Sequence, residues 1–315
     1  MLDILLVTAP IYLIIALGFG AVRLGLFEKA DMRLIGRLLV LIILPIMVFR
    51  TISQYDIADI LQWDYLTVYL LASVLAWVLA HQWARRWRGH EEPMSSFMAM
   101  GMSGSNSVFV GYPILSQLIG PAADVALALC LLVENVIMYP MSLVMADRRA
   151  GQSWSQALRH AGMSVLRNPI LVAIVLGVLC ATAGWHLPAL LDRTAALVAS
   201  AAAPLALFMI GGILVGQQVR GMRLDLTAVT FGKLVLHPAL TLAVLWALPI
   251  ASAPMALAAV AMAAMPLPSL YPALGQRHGI EGFCAAALVT VTVVSFFTIN
   301  AWLWLLPPWL PHLVP

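Results

Sequence analysis

Residues able to do chemistry are scarce in this chain and lie far apart along it. Glu134 and Lys233 are the two charged side chains inside long apolar runs, and His237 stands one helical turn beyond Lys233. Ionisable groups at membrane depth are functional candidates by default: a carboxylate and an ammonium can pair or carry a coupling proton, and an imidazole can relay one. For Lys233 the competing role is snorkelling toward an interface. His237 precedes Pro238, whose missing N–H frees a carbonyl one turn back that the imidazole or a water could satisfy.

Two polar interruptions offer a second kind of chemistry. One reads Gly101-Met-Ser-Gly-Ser105-Asn106-Ser107-Val-Phe-Val-Gly111-Tyr112-Pro113, and the other Met265-Pro266-Leu-Pro268-Ser269-Leu-Tyr271-Pro272. Neither can be a continuous lipid-facing helix, and unwound backbone at membrane depth survives only where it is buried in protein or lines a cavity. Proline suits a first helical turn, so Pro113 and Pro272 are expected to start second half-helices, whose free N–H groups attract anions. Side-chain donors come from Ser105, Asn106, Ser107 and Ser269, and Tyr112 and Tyr271 bring a ring with a hydroxyl. The expected ligand is a small organic anion framed by Ser105, Asn106, Ser107, Gly111, Tyr112, Pro113, Pro266, Ser269, Tyr271 and Pro272. The competing reading is that the serines and prolines only permit tight helix packing.

The elements that position these residues follow from composition. The chain has 315 residues, 63% hydrophobic and 10% charged, against about 25% charged in soluble domains. A soluble domain is excluded, and the apolar residues suffice for roughly ten membrane helices of about 20 residues each. The spans are expected near 4–22, 34–52, 65–83, 95–119, 122–146, 165–184, 194–215, 226–248, 255–274 and 282–306, the first being retained and not a cleaved signal. Cys130, Cys180 and Cys284 lie in apolar runs without metal or redox spacing and read as small hydrophobes. No cofactor, metal or nucleic-acid partner is expected. With no HExxH, paired aspartates or Ser-His constellation in the spans, neither is an enzyme.

Fourteen of the seventeen basic residues fall in alternate loops. By the positive-inside rule those loops are cytoplasmic, and both termini face the other side. A shift of 159 residues aligns the chain with itself at three places: Pro10, Ile11, Gly18 and Gly25 with Pro169, Ile170, Gly177 and Gly184; Pro45 and Phe49 with Pro204 and Phe208; and Tyr112-Pro113-x-Leu-x-Gln-x-x-Gly120 with Tyr271-Pro272-x-Leu-x-Gln-x-x-Gly279. The halves 1–150 and 151–315 would each hold five spans, so the second enters the membrane inverted. The fold expected is therefore an all-α polytopic membrane protein of two inverted five-helix repeats, with broken spans 4 and 9 at the binding site of a secondary transporter.

The chain resembles the auxin efflux carrier family, which includes bacterial malonate transporters. The resemblance rests on Asn106-x-x-x-x-Gly111-x-Pro113, Asn168-Pro169, Ala203-Pro204-Leu-Ala-Leu-Phe208 and the break from Pro266 to Gly279. It implies a fold similar to bile-acid symporters, with spans 4 and 9 crossing at their breaks. It further implies a scaffold of spans 1, 2, 6 and 7, an elevator-like transport unit of spans 3–5 and 8–10, and a homodimer. Asn106, Pro113 and Pro266 would frame the substrate. The short basic loop at 147–167 differs from the long insert of plant members, and the Tyr271-Pro272 pair with Gln276-Arg277-His278-Gly279 differs from many relatives, so a bacterial carboxylate such as malonate is expected over auxin, in a bacterial inner membrane. The alternatives are a sodium-coupled organic-anion symporter and a membrane-embedded ligand sensor.

Overall fold

The computed structural model describes residues 2–54, 61–147, 168–185, 187–216 and 222–306. The regular structure among the described residues is helical. Helix α1 spans Leu2–Arg23, α2 Lys29–Ser53, α3 Trp63–Arg86 and α4 Met94–Ser103. After a non-helical step at 104–106, α5 occupies 107–119, and α6 follows at Ala122–Asp147. Then come α7 at Pro169–Thr182, α8 at Ala189–Leu214, α9 at Arg223–Ala247 and α10 at Ala253–Ala264. The chain is again non-helical at 265–270, before the short α11 at Tyr271–Gln276 and α12 at Glu281–Leu305.

Helices α2, α3, α6, α8, α9 and α12 are each long and apolar enough to cross a membrane, and Thr8–Arg23, Pro169–Thr182 and Ala253–Ala264 are shorter apolar stretches. The molecule is a polytopic helical membrane protein. Arg148, Arg149, Arg159, Arg167 and Arg220, used above to orient the chain, lie outside the described residues.

Proline shapes these helices in a recurrent way. Wide π turns at Leu39–Ile43, Ser107–Gly111, Val133–Met138 and Gly232–Leu236 are each followed, two residues on, by Pro45, Pro113, Pro140 and Pro238. A proline inside a helix cannot donate to the carbonyl four residues back and its ring collides with it, so the preceding turn widens. At Pro238 the freed carbonyl of Leu234 accepts the indole N–H of Trp302 at 2.9 Å. That partner replaces the expected imidazole of His237. A further departure concerns Pro113. It does not start its half-helix: α5 begins at Ser107, where the side chain of Asn106 accepts the N–H of Phe109 at 3.3 Å as an N-cap.

Packing sorts the helices into two groups. In one, α1 lies along α8 and α7 along α2, with α8 also on α2; in the other, α3, α4, α6, α9, α10, α11 and α12 pack on one another. The first group is held by glycines. A Cβ on Gly18 of α1 would overlap the main-chain carbonyl of Phe208 in α8, and one on Gly177 of α7 would stand 3.2 Å from the carbonyl of Phe49 in α2. Small residues let helices approach to backbone contact where no hydrophobic effect drives them together. The same shift of 159 carries Gly18 to Gly177 and Phe49 to Phe208, so one contact is the image of the other.

Candidate functional site

The two breaks meet. The main-chain N–H of Asn106 donates to the carbonyl of Pro266 at 2.7 Å. The shift of 159 takes 106 to 265 and 107 to 266, mapping this contact onto itself within one residue.

Around that contact the charged residues of the spans converge. Glu134 sits in the π turn before Pro140 and Lys233 in the one before Pro238; both are buried. Ser105, at the first break, lies between them. Its main-chain N–H donates to Glu134 Oε1 at 2.9 Å, and its hydroxyl accepts from Lys233 Nζ at 2.6 Å. The other two ammonium donors of Lys233 go to the carbonyl of Ala263 at 2.9 Å and to His237 Nδ1 at 3.0 Å. Ala263 lies in the last turn of α10, where carbonyls have lost their helical partners, so the lysine ties the second break to the first. Since Nδ1 of His237 accepts from an ammonium, the imidazole proton is on Nε2, facing Ser73 Oγ at 3.1 Å. Lys233 therefore does not snorkel, and His237 serves as its acceptor.

The carboxylate of Glu134 takes three more donors. Tyr69 reaches Oε1 at 3.3 Å, while Ser107 and Tyr139 reach Oε2 at 3.0 and 3.3 Å. Four hydrogen bonds and a lysine one residue away satisfy a charge that would otherwise be costly at this depth.

A cavity of about 390 Å³ opens beside this cluster. Its polar wall includes Ser105, Asn106, Ser107, Glu134, Asn135, Tyr139, Asn168 and Ser269, and its apolar wall Leu44, Phe109, Leu143, Ile170 and Leu274. Asp147, Arg277 and His278 also line it, with His278 Nε2 at 3.6 Å from Asp147. Asn168 Nδ2 donates to Asn135 Oδ1 at 3.1 Å. The hydroxyl of Ser269 is buried without a hydrogen-bond partner among the described residues, and the amide nitrogen of Asn106 likewise makes no bond there. The Asn106 amide, beside the N-terminus of α5, is the uncommitted donor an anion would find, while the unpartnered Ser269 hydroxyl is buried in the cavity wall.

Other expected site residues are elsewhere. Tyr112 and Pro113 line a second cavity, also of about 390 Å³, with Arg50, Ser116 and Gln117; Val108 alone is shared by the two linings. The Tyr112 hydroxyl donates to Asp124 at 2.7 Å. Tyr271 is fully buried and its hydroxyl donates to the carbonyl of Phe97 at 2.6 Å, so this ring staples α11 to α4 and lines neither cavity. Gly111 lies against Met262 and Met265, while Pro266 contributes its carbonyl to the join and Pro272 lines neither cavity. Conversely, Tyr69, Ser73, Asn135, Tyr139 and Asn168 belong to the cluster or the cavity wall but were not among the expected site residues. A signal existed for two of them: Asn135 adjoins Glu134, and Tyr139 precedes Pro140 as Tyr112 precedes Pro113.

The sequence profile of the family described as "Membrane transport protein" matches residues 4–303. The chain belongs to this family, that of the auxin efflux carriers. A Rhizobium meliloti (strain 1021) protein named "Putative malonate transporter" is 23% identical over 301 residues, covering 94% of each chain. "Auxin efflux carrier component 8" of Arabidopsis thaliana is 24% identical over 300 residues, 75% of this chain and 79% of its own. An "Uncharacterized transporter" of Methanothermobacter thermautotrophicus is 22% identical over 295 residues, 93% and 95% of the two chains. As a member of this family the molecule is a membrane transporter. Its cavity, broken helices and buried ion cluster are the parts available for that task.

Proposed function

We propose that the protein is a secondary transporter of a small organic anion, a carboxylate such as malonate or an auxin-like acid, working by elevator-type alternating access. The observation that carries this reading is the cavity at the joined breaks, whose Asn106 amide is an uncommitted donor beside a helix N-terminus. The apolar wall of Leu143, Ile170 and Leu274 suits the carbon body of such a ligand.

Two equivalent halves inverted in the membrane supply two access states of similar energy. The paired contacts of Gly18 with Phe208 and Gly177 with Phe49 support an arrangement of two five-span repeats. In this reading α1, α2, α7 and α8 form the scaffold and the other helices the moving unit. The two cavities, on either face of Val108, are the inner and outer approaches to one site. The protein would work as a homodimer in a bacterial inner membrane with both termini outside the cytoplasm.

The test is uptake by liposomes containing the purified protein, across labelled mono- and dicarboxylates of increasing size, with and without sodium. Saturable uptake of at least one acid, abolished by Asn106→Ala, is expected. Equal uptake of every acid by protein-containing and protein-free liposomes would remove the proposal.

A further inference from the structure

The shell around Glu134 is divided between its two oxygens. Oε1 accepts the main-chain N–H of Ser105, a donor that cannot turn, together with the Tyr69 hydroxyl. Among the described residues Oε2 is met only by hydroxyls, those of Ser107 and Tyr139. A hydroxyl can donate to a carboxylate or rotate and accept from a carboxylic acid. Ser107 has somewhere to turn: its Oγ lies 3.2 Å from Cys130 Sγ and 3.5 Å from the carbonyl of Ser105. A proton arriving on Oε2 would therefore find an acceptor, and the displaced Ser107 hydrogen a new partner, with Oε1 undisturbed. A shell built only to hold a carboxylate would not need this freedom.

The position of the carboxylate gives that freedom a use. Glu134 lines the same cavity as the uncommitted amide of Asn106, so an anion bound there brings a second negative charge beside it. The countercharge, Lys233, has all three donors committed to Ser105, Ala263 and His237 and does not line the cavity. Among the described residues, the other titratable groups around Glu134 are Tyr65 and Tyr69 from α3, whose rings stack at 5.9 Å, and Cys130 and Tyr139 from α6, while Asp147, Arg277 and His278 line the same cavity.

Resting on the transport reading above, we propose that Oε2 of Glu134 is a proton-binding site and that one proton travels with each singly charged anion, a dicarboxylate such as malonate entering as its monoanion. In the empty site a carboxylate faces an ammonium and the buried charge sums to zero. In the loaded site the aqueous proton forms an O–H bond to Oε2, the Ser107 hydrogen turns from Oε2 to Cys130 or the Ser105 carbonyl, and the anion balances Lys233. The buried charge again sums to zero, which is the condition for moving the site through a low-dielectric membrane. On the far side the proton leaves Oε2 for water as the anion departs.

The experiment uses the full chain in liposomes of phosphatidylethanolamine and phosphatidylglycerol, with labelled malonate and labelled indole-3-acetate as probes. Counterflow at equal pH on both sides reports carriage alone. A trapped pH dye and an outside bath one pH unit more acid then report the proton. Measured over protein-free liposomes, the expected result for the singly charged indole-3-acetate is about tenfold accumulation with the interior acidified by one proton per anion, and malonate entering as its monoanion should acidify the interior further as it loses its second proton there. In Glu134→Gln the indole-3-acetate ratio falls to zero, and in Tyr139→Phe, which removes one of the two hydroxyls on Oε2, the pH of half-maximal accumulation shifts. Counterflow without accumulation and without acidification overturns the proton proposal and leaves the transport reading standing. Accumulation whose proton ratio and pH midpoint are the same in the wild type and both variants also overturns it. Absence of counterflow with either probe defeats the transport reading and the proposal with it.

Discussion

The main-chain N–H of Asn106 donates to the carbonyl of Pro266, and so the two broken helices are joined through backbone while the side chain of Asn106 is left for other work. Substitution of that side chain therefore separates joining from binding. Asn106→Ala removes the N-cap on Phe109 and the open amide in the cavity but keeps the join. The expected outcome is a stability loss of about 1 kcal/mol, read by thermal unfolding in detergent, together with a loss of transport far larger than so small a destabilisation would cause. A purely structural residue would show the first effect alone.

Lys233 is held by three acceptors, and each would be stranded by its removal. Lys233→Met would leave Glu134 as an uncompensated buried charge, at a cost of roughly 3–5 kcal/mol. Adding Glu134→Gln to Lys233→Met should cost less than the sum of the two single changes, because the pair is one electrostatic unit. Strict additivity in unfolding measurements would mean that Ser105 does not couple the two charges.

Gly18 tests the helix contact that organises α1 and α8. Gly18→Ala drives a methyl group into the Phe208 carbonyl, and overpacking of this kind costs about 1–3 kcal/mol. Gly20, two residues on in the same helix, has open space where a Cβ would be. Gly20→Ala should be neutral or mildly stabilising, since alanine is the better helix former by about 1 kcal/mol. Equal effects at the two positions, measured as the midpoint of thermal aggregation, would contradict the packing described.

Outside the spans, Glu92 links α3 to α4. Its carboxylate meets His81 Nε2 at 2.6 Å and the main-chain N–H of Ser96 at 3.1 Å. Burial acts to raise its pKa, but the hydrogen bonds from Ser96 and His81 outweigh burial and hold it below the ordinary carboxylate value. A carboxyl whose folded pKa is depressed contributes stability that is fully present above its unfolded value, about 4.3, and is lost as pH falls through the folded value. Acid should therefore loosen this end of the molecule, and in Glu92→Gln the acid limb of the stability profile should flatten.

How far the site was legible in the sequence depended on the kind of signal. Glu134 and Lys233 stood out because charge is rare at membrane depth, and both are in the cluster. Asn106 stood out because it sits in a run that cannot be continuous helix, and both breaks are where the Gly, Ser and Pro content placed them. The tyrosines are ambiguous in sequence because a ring with a hydroxyl is apolar and polar at once. Periodicity does not tell that Tyr271 spends its hydroxyl on the Phe97 carbonyl, 174 residues away, or that Tyr69 spends its own on Glu134. Pro113 was misplaced as a helix start because a π turn lets the helix begin six residues earlier, at Ser107. The turn itself follows from the proline two residues on, as at Pro45, Pro140 and Pro238, so the signal lay in the local sequence.

The central claim, that the cavity at the joined breaks holds the transported anion, is tested most directly by substrate protection. Cys130, Cys180 and Cys284 would first be replaced by serine or alanine, and Leu143→Cys would then place a single thiol at a half-buried position of the cavity wall. A carboxylate the protein exchanges should slow maleimide labelling at this position with the same half-saturation as its transport, and an acid it does not exchange should have no effect. Labelling that proceeds at one rate with and without a transported acid would contradict it.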